Sequence, residues 1–268
     1  MPIKCKFQAN PISESDFYSL DYEVMAIAFS IHNDMGRFWG EEIYQNELAY
    51  RCQKAGFNNV ATEVPIQLSF NDFEKYFYID LLINSAVYEI KTAQALSGEH
   101  QKQTINYLLL TGLNHGKLIN MRPQSVQHRF VSTKITREKR YDFTIDDRQW
   151  REFDEDSIWL KQMFTSLLNE WGAFLTIDLF YEAIEHFRGG KEMVIKEIDG
   201  MDGSRSPGKQ KAHLLNSEIA LKISSVTKMK DEEYYELHLH RFIQYTSLKA
   251  VHWINFNHDT IVFKTIIK

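Results

Sequence analysis

The sequence predicts an α/β fold present twice in one chain. Three observations carry that expectation. Residues 77–91 have the pattern of a tight hairpin, residues 22–131 run in the order helix, strands, helix, strand, and short matches between the two halves recur in the same order. In the hairpin, residues 77–83 and 86–91 are rich in β-branched and aromatic side chains, and only Asn84 and Ser85 separate them. A two-residue loop fixes the pairing: Ile83 faces Ala86, Leu81 faces Tyr88, and Asp80 faces Glu89. Side chains alternate along a strand, so Lys91 projects beside Glu89 while Ile90 points the other way. Asp80, Glu89 and Lys91 are therefore expected on one patch, with the Cα atoms of the two acids roughly 5 to 6 Å apart.

The elements follow in order. Residues 1–16 show no sustained period and are expected to form an arm. From Tyr22 the apolar positions Val24, Ala28 and Ile31 follow helical spacing, ending near Gly36. A second helical run from Trp39 to about Ala55 puts Glu41, Tyr44 and Leu48 on one face, with Gly56 as its cap. Residues 64–70 alternate like a strand with Pro65 near its start, where a missing N–H is tolerated. After the hairpin, residues 99–110 form a helix on which His100, Gln103 and Tyr107 share a face. Residues 117–121 and 126–131 complete the set as strands.

Two carboxylates directly opposite on a sheet repel, so a chain that sets Asp80 against Glu89 among apolar residues calls for a compensating charge. A hard divalent cation is the simplest, because it takes oxygen ligands and needs only one or two carboxylates beside water and phosphate. The alternative is a solvated sheet face with Lys91 as salt-bridge partner. For Glu41 the alternative is an exposed acid favoured by the helix dipole, and for Gln103 a solvent-exposed glutamine.

Asp80 followed by Glu89, Ile90 and Lys91 resembles the metal-binding core of the PD-(D/E)XK nuclease superfamily. The flanking residues resemble one branch of it, the GxxExxY proteins. Residues 32–36 lead into residues 38–44, which match that motif at Glu41 and Tyr44, while Phe38 stands where the family has glycine. Gln103 and Tyr107 match the QxxxY helix of exonuclease-type members, and residues 111–120 resemble the closing strand. The likeness spans residues 22–131 and implies a restriction-endonuclease-like core. It implies that Asp80 and Glu89 hold Mg²⁺ or Mn²⁺, with Glu41 assisting through water or a second ion. Lys91 would orient the attacking water and stabilise developing charge, and Gln103 and Tyr107 would complete the catalytic set. The implied activity is phosphodiester hydrolysis of DNA, or less readily RNA. The competing expectation is a noncatalytic nucleic-acid or protein-binding module that kept the fold.

The second half echoes the first about 130 to 136 residues on: Trp171, Gly172, Ala173 and Phe174 echo residues 35–38, residues 215–217 echo 83–85, and residues 253–256 echo 118–121. Carried across, Glu41 falls on Ile177, Asp80 on Ala212, Glu89 on Leu221, Lys91 on Ile223 and Gln103 on His238, so the candidate catalytic set is lost. The expected organisation is a nuclease-like domain over 17–132, a charged linker over 133–156, and a degenerate second repeat over 157–268. Such a duplication predicts an intrachain pseudodimer, compatible with a monomer.

Residues 203–210 mimic a phosphate-binding loop, but Gln210 replaces the hydroxyl residue and a hairpin, not a helix, is expected to follow. His238, His240, His252 and His258 have no clustered acids and are expected to be structural. The net charge of −5 argues against coating nucleic acid by bulk electrostatics but permits a local basic groove at Lys134 to Arg140 or Arg205 to Lys211, although charge runs of this kind are usually solvated faces. Cys5 and Cys52 cannot build a disulfide framework. A polar start and the lack of any long apolar run predict a cytoplasmic protein with no membrane partner.

Overall fold

The computed structural model describes residues 2–203 and 205–268. The chain divides into two compact units, Met1–Arg137 and Glu138–Lys268, each with its own six-stranded sheet.

The first unit contains β1 (Ile3–Cys5), α1 (Glu14–Met35), α2 (Glu41–Lys54), β2 (Val60–Phe70), β3 (Phe73–Ile83), β4 (Ala86–Lys91), α3 (Gly98–Thr111), β5 (His115–Asn120) and β6 (Gln127–Ser132), with the strands in sequence order across the sheet. Neighbours are antiparallel except β4 and β5, which run parallel with α3 between them. The segment expected as an arm is instead structured: β1 pairs with β2 at Ile66–Leu68, and α1 starts at Glu14 because the Ser13 hydroxyl caps the Asp16 N–H. Three residues are too few to show a strand period, which is why this edge was invisible. Pro65 lies in the middle of β2, not near its start, and faces Tyr78 of β3.

The β3–β4 register is Leu81↔Tyr88, Leu82↔Val87 and Ile83↔Ala86, as the two-residue loop requires. Asn84 and Ser85 both have positive φ, 46° and 68°, the signature of a type I′ turn whose twist matches the strands. One sheet face packs on α1 and α2, where Val24, Ala28, Ile31, Tyr44 and Leu48 meet Leu81, Tyr88, Ile90 and Ile119. Burying each such side chain is worth roughly 1.5 to 3 kcal/mol, so this layer anchors the unit. Alternation turns Val87, Glu89 and Lys91 to the other face, where α3 packs. Gly116 marks how close α3 comes: a Cβ there would lie 3.0 Å from the Val87 carbonyl and 3.1 Å from Thr104.

The second unit begins within α4 (Arg137–Tyr141) and continues with β7 (Thr144–Gln149), α5 (Glu155–Trp171), α6 (Ile177–Phe187), α7 (Lys191–Val194), β8 (Ile195–Asp199), β9 (Lys209–Leu214), β10 (Ile219–Ser224), α8 (Met229–Gln244), β11 (Ala250–Asn257) and β12 (Thr260–Ile267). Residues 133–156 are therefore not simply a linker. Within them β7 pairs in parallel with β12 at the sheet edge, and its charges suit an unprotected edge strand, with Asp146 and Arg148 paired on the surface. The glycine-rich segment before β9 is the β8–β9 connection, as expected for a hairpin; its Ser204 lies outside the described residues. His252 is buried, stacked on Trp150 at 4.1 Å and hydrogen-bonded to Ser157 and Thr265, a structural role. No helix among the described residues is long and apolar enough to cross a membrane.

Strand orientation is the same in both sheets over five strands. The pairs β2–β3 and β3–β4 are antiparallel, β4–β5 parallel and β5–β6 antiparallel; β8–β9 and β9–β10 are antiparallel, β10–β11 parallel and β11–β12 antiparallel. An asparagine clamp recurs as well. Buried Asn120 accepts from the Ala93 N–H and donates to the Ala93 carbonyl, and buried Asn255 does the same with Val226.

The turn offers a test of the first unit. Ser85 holds a left-handed conformation that costs an L-residue roughly 1 to 2 kcal/mol, so Ser85→Gly should raise stability by about 0.5 to 1 kcal/mol after the entropy lost by glycine. A urea midpoint that stays put or falls would contradict the type I′ turn.

Candidate active site

The site forms where β3 and β4 part. Their ladder ends at Leu81↔Tyr88, one residue short of the expected Asp80–Glu89 pair. The Asp80 carboxylate instead accepts the Ile90 N–H at 2.8 Å, capping the ladder with a side chain. Glu63 of β2 stands opposite Asp80, between the Thr62↔Leu81 and Val64↔Ile79 pairs, and has φ 49°. Gln45 of α2 braces this spot, donating from Nε2 to the Asp80 carbonyl at 2.7 Å and to Glu63 Oε1 at 2.9 Å.

Glu89 and Lys91 share a face, and the Lys91 ammonium lies 2.7 Å from Glu89 Oε1. Asp80 and Glu41 approach the same Nζ at 3.9 Å each. Glu41 is the first residue of α2, and its other oxygen accepts the Thr92 N–H at 3.0 Å, which ties the helix start to the end of β4. Tyr44 fixes the turn before Glu41: its hydroxyl donates to the Gly36 carbonyl at 2.6 Å and accepts the Trp39 N–H. Phe38 does not have positive φ and its side chain is exposed, so the backbone here does not need a glycine at this position.

From the facing helix, Gln103 Nε2 donates to the Tyr107 hydroxyl at 2.9 Å. Tyr107 feels both Glu89 and Asp80: burial first, then these charges, hold its phenol well above the ordinary range. His100 does not join them. It closes a capping box with Ser97, accepting the Ser97 N–H on Nδ1 while its own N–H bonds the serine hydroxyl.

The electrostatics are those of crowded acids. Burial, followed by the neighbouring Asp80 charge, pushes the Glu89 carboxyl up to about 8 against the pull of Lys91. Burial likewise raises Asp80, with Lys91 and the Ile90 N–H opposing. Burial alone would lower Lys91, but Glu89, Asp80 and Glu41 together raise it. Among the described residues no three His, Cys, Asp or Glu side chains form a metal-ligand set, and the Lys91 ammonium lies within 3.9 Å of all three acids. The donors nonetheless fit a hard dication. Glu89 Oε2 is buried and has no hydrogen-bond partner, and one ammonium among three carboxylates leaves negative charge uncompensated.

The fold and fork describe an α/β unit with two acids and a lysine on one face of a mixed sheet. Residues 18–133 match the family model of the PD-(D/E)XK nuclease superfamily. A solved structure titled "Crystal structure of SSO0001" is similar over 44% of this chain and 59% of its own, at 23% identity and a TM-score of 0.28. The match thus spans less than two thirds of that chain. No curated protein matches.

Sequence reasoning brought Glu41, Asp80, Glu89, Lys91, Gln103 and Tyr107 forward. It missed Gln45, Glu63, Asn120 and Arg122, whose guanidinium bridges the Thr92 and Trp39 carbonyls at 3.3 and 3.4 Å. Gln45 was findable, four residues after Glu41 on the same helix face.

The raised Glu89 carboxyl sets a pH dependence. Its ordinary value is 4.5, so between about 4.5 and 8 the folded chain holds a proton that the unfolded chain has released. That stability is complete at the acidic end and is lost as pH rises toward 8. In EDTA, the melting temperature of Glu89→Gln should gain on the wild type from pH 5 to pH 8. Parallel profiles would contradict a buried, proton-holding Glu89.

Proposed function

We propose that the chain is a metal-dependent nuclease that hydrolyses phosphodiester bonds of DNA, or of RNA, in its first unit. The carrying observation is the convergence of Glu41, Asp80 and Glu89 on the Lys91 ammonium, with Glu89 Oε2 buried and unpartnered. Asp80 and Glu89 would hold Mg²⁺ or Mn²⁺ with Glu41 at the rim, and the bound ion would supply a nucleophile at neutral pH and a Lewis acid for the phosphate. Lys91, released from Glu89, would stabilise charge growing on the phosphate, where a preplaced cation acts at no cost in reorganisation. Gln103 and Tyr107 offer an amide and a hydroxyl to orient a water or a phosphate oxygen. The Asp80–Ile90 bond keeps the carboxylate aimed while its other oxygen remains free to ligate. The superfamily match over residues 18–133 supports this chemistry, and the residues that resemble the GxxExxY motif, Glu41 and Tyr44, sit at the site as the Lys91 contact and the turn clamp.

The second unit is proposed to be a catalytically degenerate copy. The shared strand orientations and the repeated asparagine clamp support it. Register revises the correspondence by one residue on β10. Lys91 and Asn120 are paired, as are Ser224 and Asn255, so Lys91 corresponds to Ser224 and Glu89 to Lys222, in place of Ile223 and Leu221. Asp80 still corresponds to Ala212, since Leu81↔Tyr88 matches His213↔Leu221. The carboxylates are absent either way.

With Mn²⁺ or Mg²⁺ the protein should cleave single-stranded, duplex, flapped or RNA substrates. Asp80→Asn and Glu89→Gln should each abolish cleavage and weaken Mn²⁺ binding in calorimetry, because neutral amides hold a hard dication poorly. Lys91→Ala should lower turnover by roughly 10² or more while leaving Mn²⁺ bound. Cleavage that survives the Asp80→Asn, Glu89→Gln double change would refute the site. Mn²⁺ binding without cleavage of any substrate would favour a binding module.

A further inference from the structure

We infer that the gap between β9 and β10 of the second unit binds single-stranded nucleic acid through its phosphates and bases; the choice of ligand rests on the nuclease reading. Those strands pair only at Ala220↔Leu214 and Leu221↔His213 before they diverge. A cavity of about 380 Å³ opens there, bounded by Tyr181, Lys211, Lys222, Tyr235, His238 and Phe242. The corresponding fork of the first unit carries the acids. Here the Tyr181 hydroxyl accepts the Ile223 N–H at 2.6 Å, as the Asp80 carboxylate accepts that of Ile90, and Lys222 stands where register puts Glu89. A neutral hydroxyl and a cation have thus replaced two acids, and a site suited to a dication has become one suited to an anion.

Lys211 and Lys222 are exposed, and neither makes an ion pair with another described residue. The nearby Glu185 carboxylate is engaged by His213 at 2.9 Å. Two unneutralised ammonium groups beside aromatic walls fit a phosphodiester with a stacked base, whereas an apolar ligand would strand the charges. A second cavity of about 530 Å³ shares Gln210, His238 and Phe242 with the first and continues past Arg241, Tyr245 and Lys209, whose ammonium lies 3.8 Å from the Glu197 carboxylate. Basic and aromatic side chains therefore line a track longer than one nucleotide, which favours a strand over a mononucleotide. A duplex holds its bases stacked inside and offers the rings nothing to stack on, so the strand is single.

The test is fluorescence polarisation of a labelled oligothymidylate with the full chain in EDTA, so that no cleavage occurs. Lys211→Glu with Lys222→Glu should weaken binding at least about tenfold and make the log–log salt slope shallower by roughly 1.4, the value for two lost phosphate contacts on a single strand. Lys211→Arg with Lys222→Arg should retain binding, and Tyr235→Ala should weaken it about five- to a hundredfold through lost stacking. Melting curves check that each variant is folded, and the milder Lys222→Gln should give a smaller loss of the same sign. Unchanged affinity and salt slope in the folded double-glutamate protein would overturn the site. Wild-type cleavage in Mn²⁺ is scored separately, so a protein that cleaves but ignores these changes refutes this inference alone. One that binds through these lysines yet never cleaves refutes the nuclease reading alone.

Discussion

The candidate site of the first unit is organised around one electrostatic contact, the Lys91 ammonium held among Glu89, Asp80 and Glu41. Glu89 is fully buried, and an isolated carboxylate at that depth would be too costly to ionise without a partner. Several elements converge to make the contact. The type I′ turn sets the register of β3 and β4, the ladder stops one residue early so that Asp80 can cap it, and the α2 N-terminus brings Glu41 to the end of β4. Burial first, and neighbouring acids after it, raise Glu89 and Asp80, and a cation entering beside them would favour their ionised forms.

Much of this was legible from residue order because hairpin geometry is short-range. Two residues between β-rich runs set the register, and the observed partners of Leu81, Leu82 and Ile83 are those the spacing requires, although the ladder ends before the expected Asp80–Glu89 pair. Helical periodicity likewise gave α2 and α3 to within a few residues and the end of α1, whose start at Glu14 lies two turns before the expected Tyr22. What escaped depends on contacts distant in sequence. The positive φ of Glu63 leaves no compositional trace, and β1 becomes a strand only because β2 offers it an edge. The charges of residues 144–149 looked like a linker because an edge strand and a solvated connection share a composition. His100 had the spacing of a site residue, but the serine three positions before it made it a cap.

The two forks show how one backbone arrangement can serve opposite charges. Asp80 and the Tyr181 hydroxyl both satisfy an isoleucine N–H at the strand end, so the amide is paired whichever side chain supplies the oxygen. What differs is the net charge left facing solvent, acidic around Lys91 and basic around Lys222. The correspondence proposed from register differs by one residue on β10 from the one that the sequence echoes suggest. A single slip exchanges the faces of a strand, setting Leu221 in place of exposed Lys222 as the counterpart of Glu89, and the register to β11 separates the two.

The most direct measurement of the central claim is anomalous diffraction from crystals soaked in MnCl₂. A manganese peak is expected between Asp80 and Glu89, with Glu89 Oε2 as a ligand and the Lys91 ammonium moved off Glu89. Crystals in which Lys91 still bonds Glu89, with no manganese at either acid after soaking at saturating concentration, would contradict it.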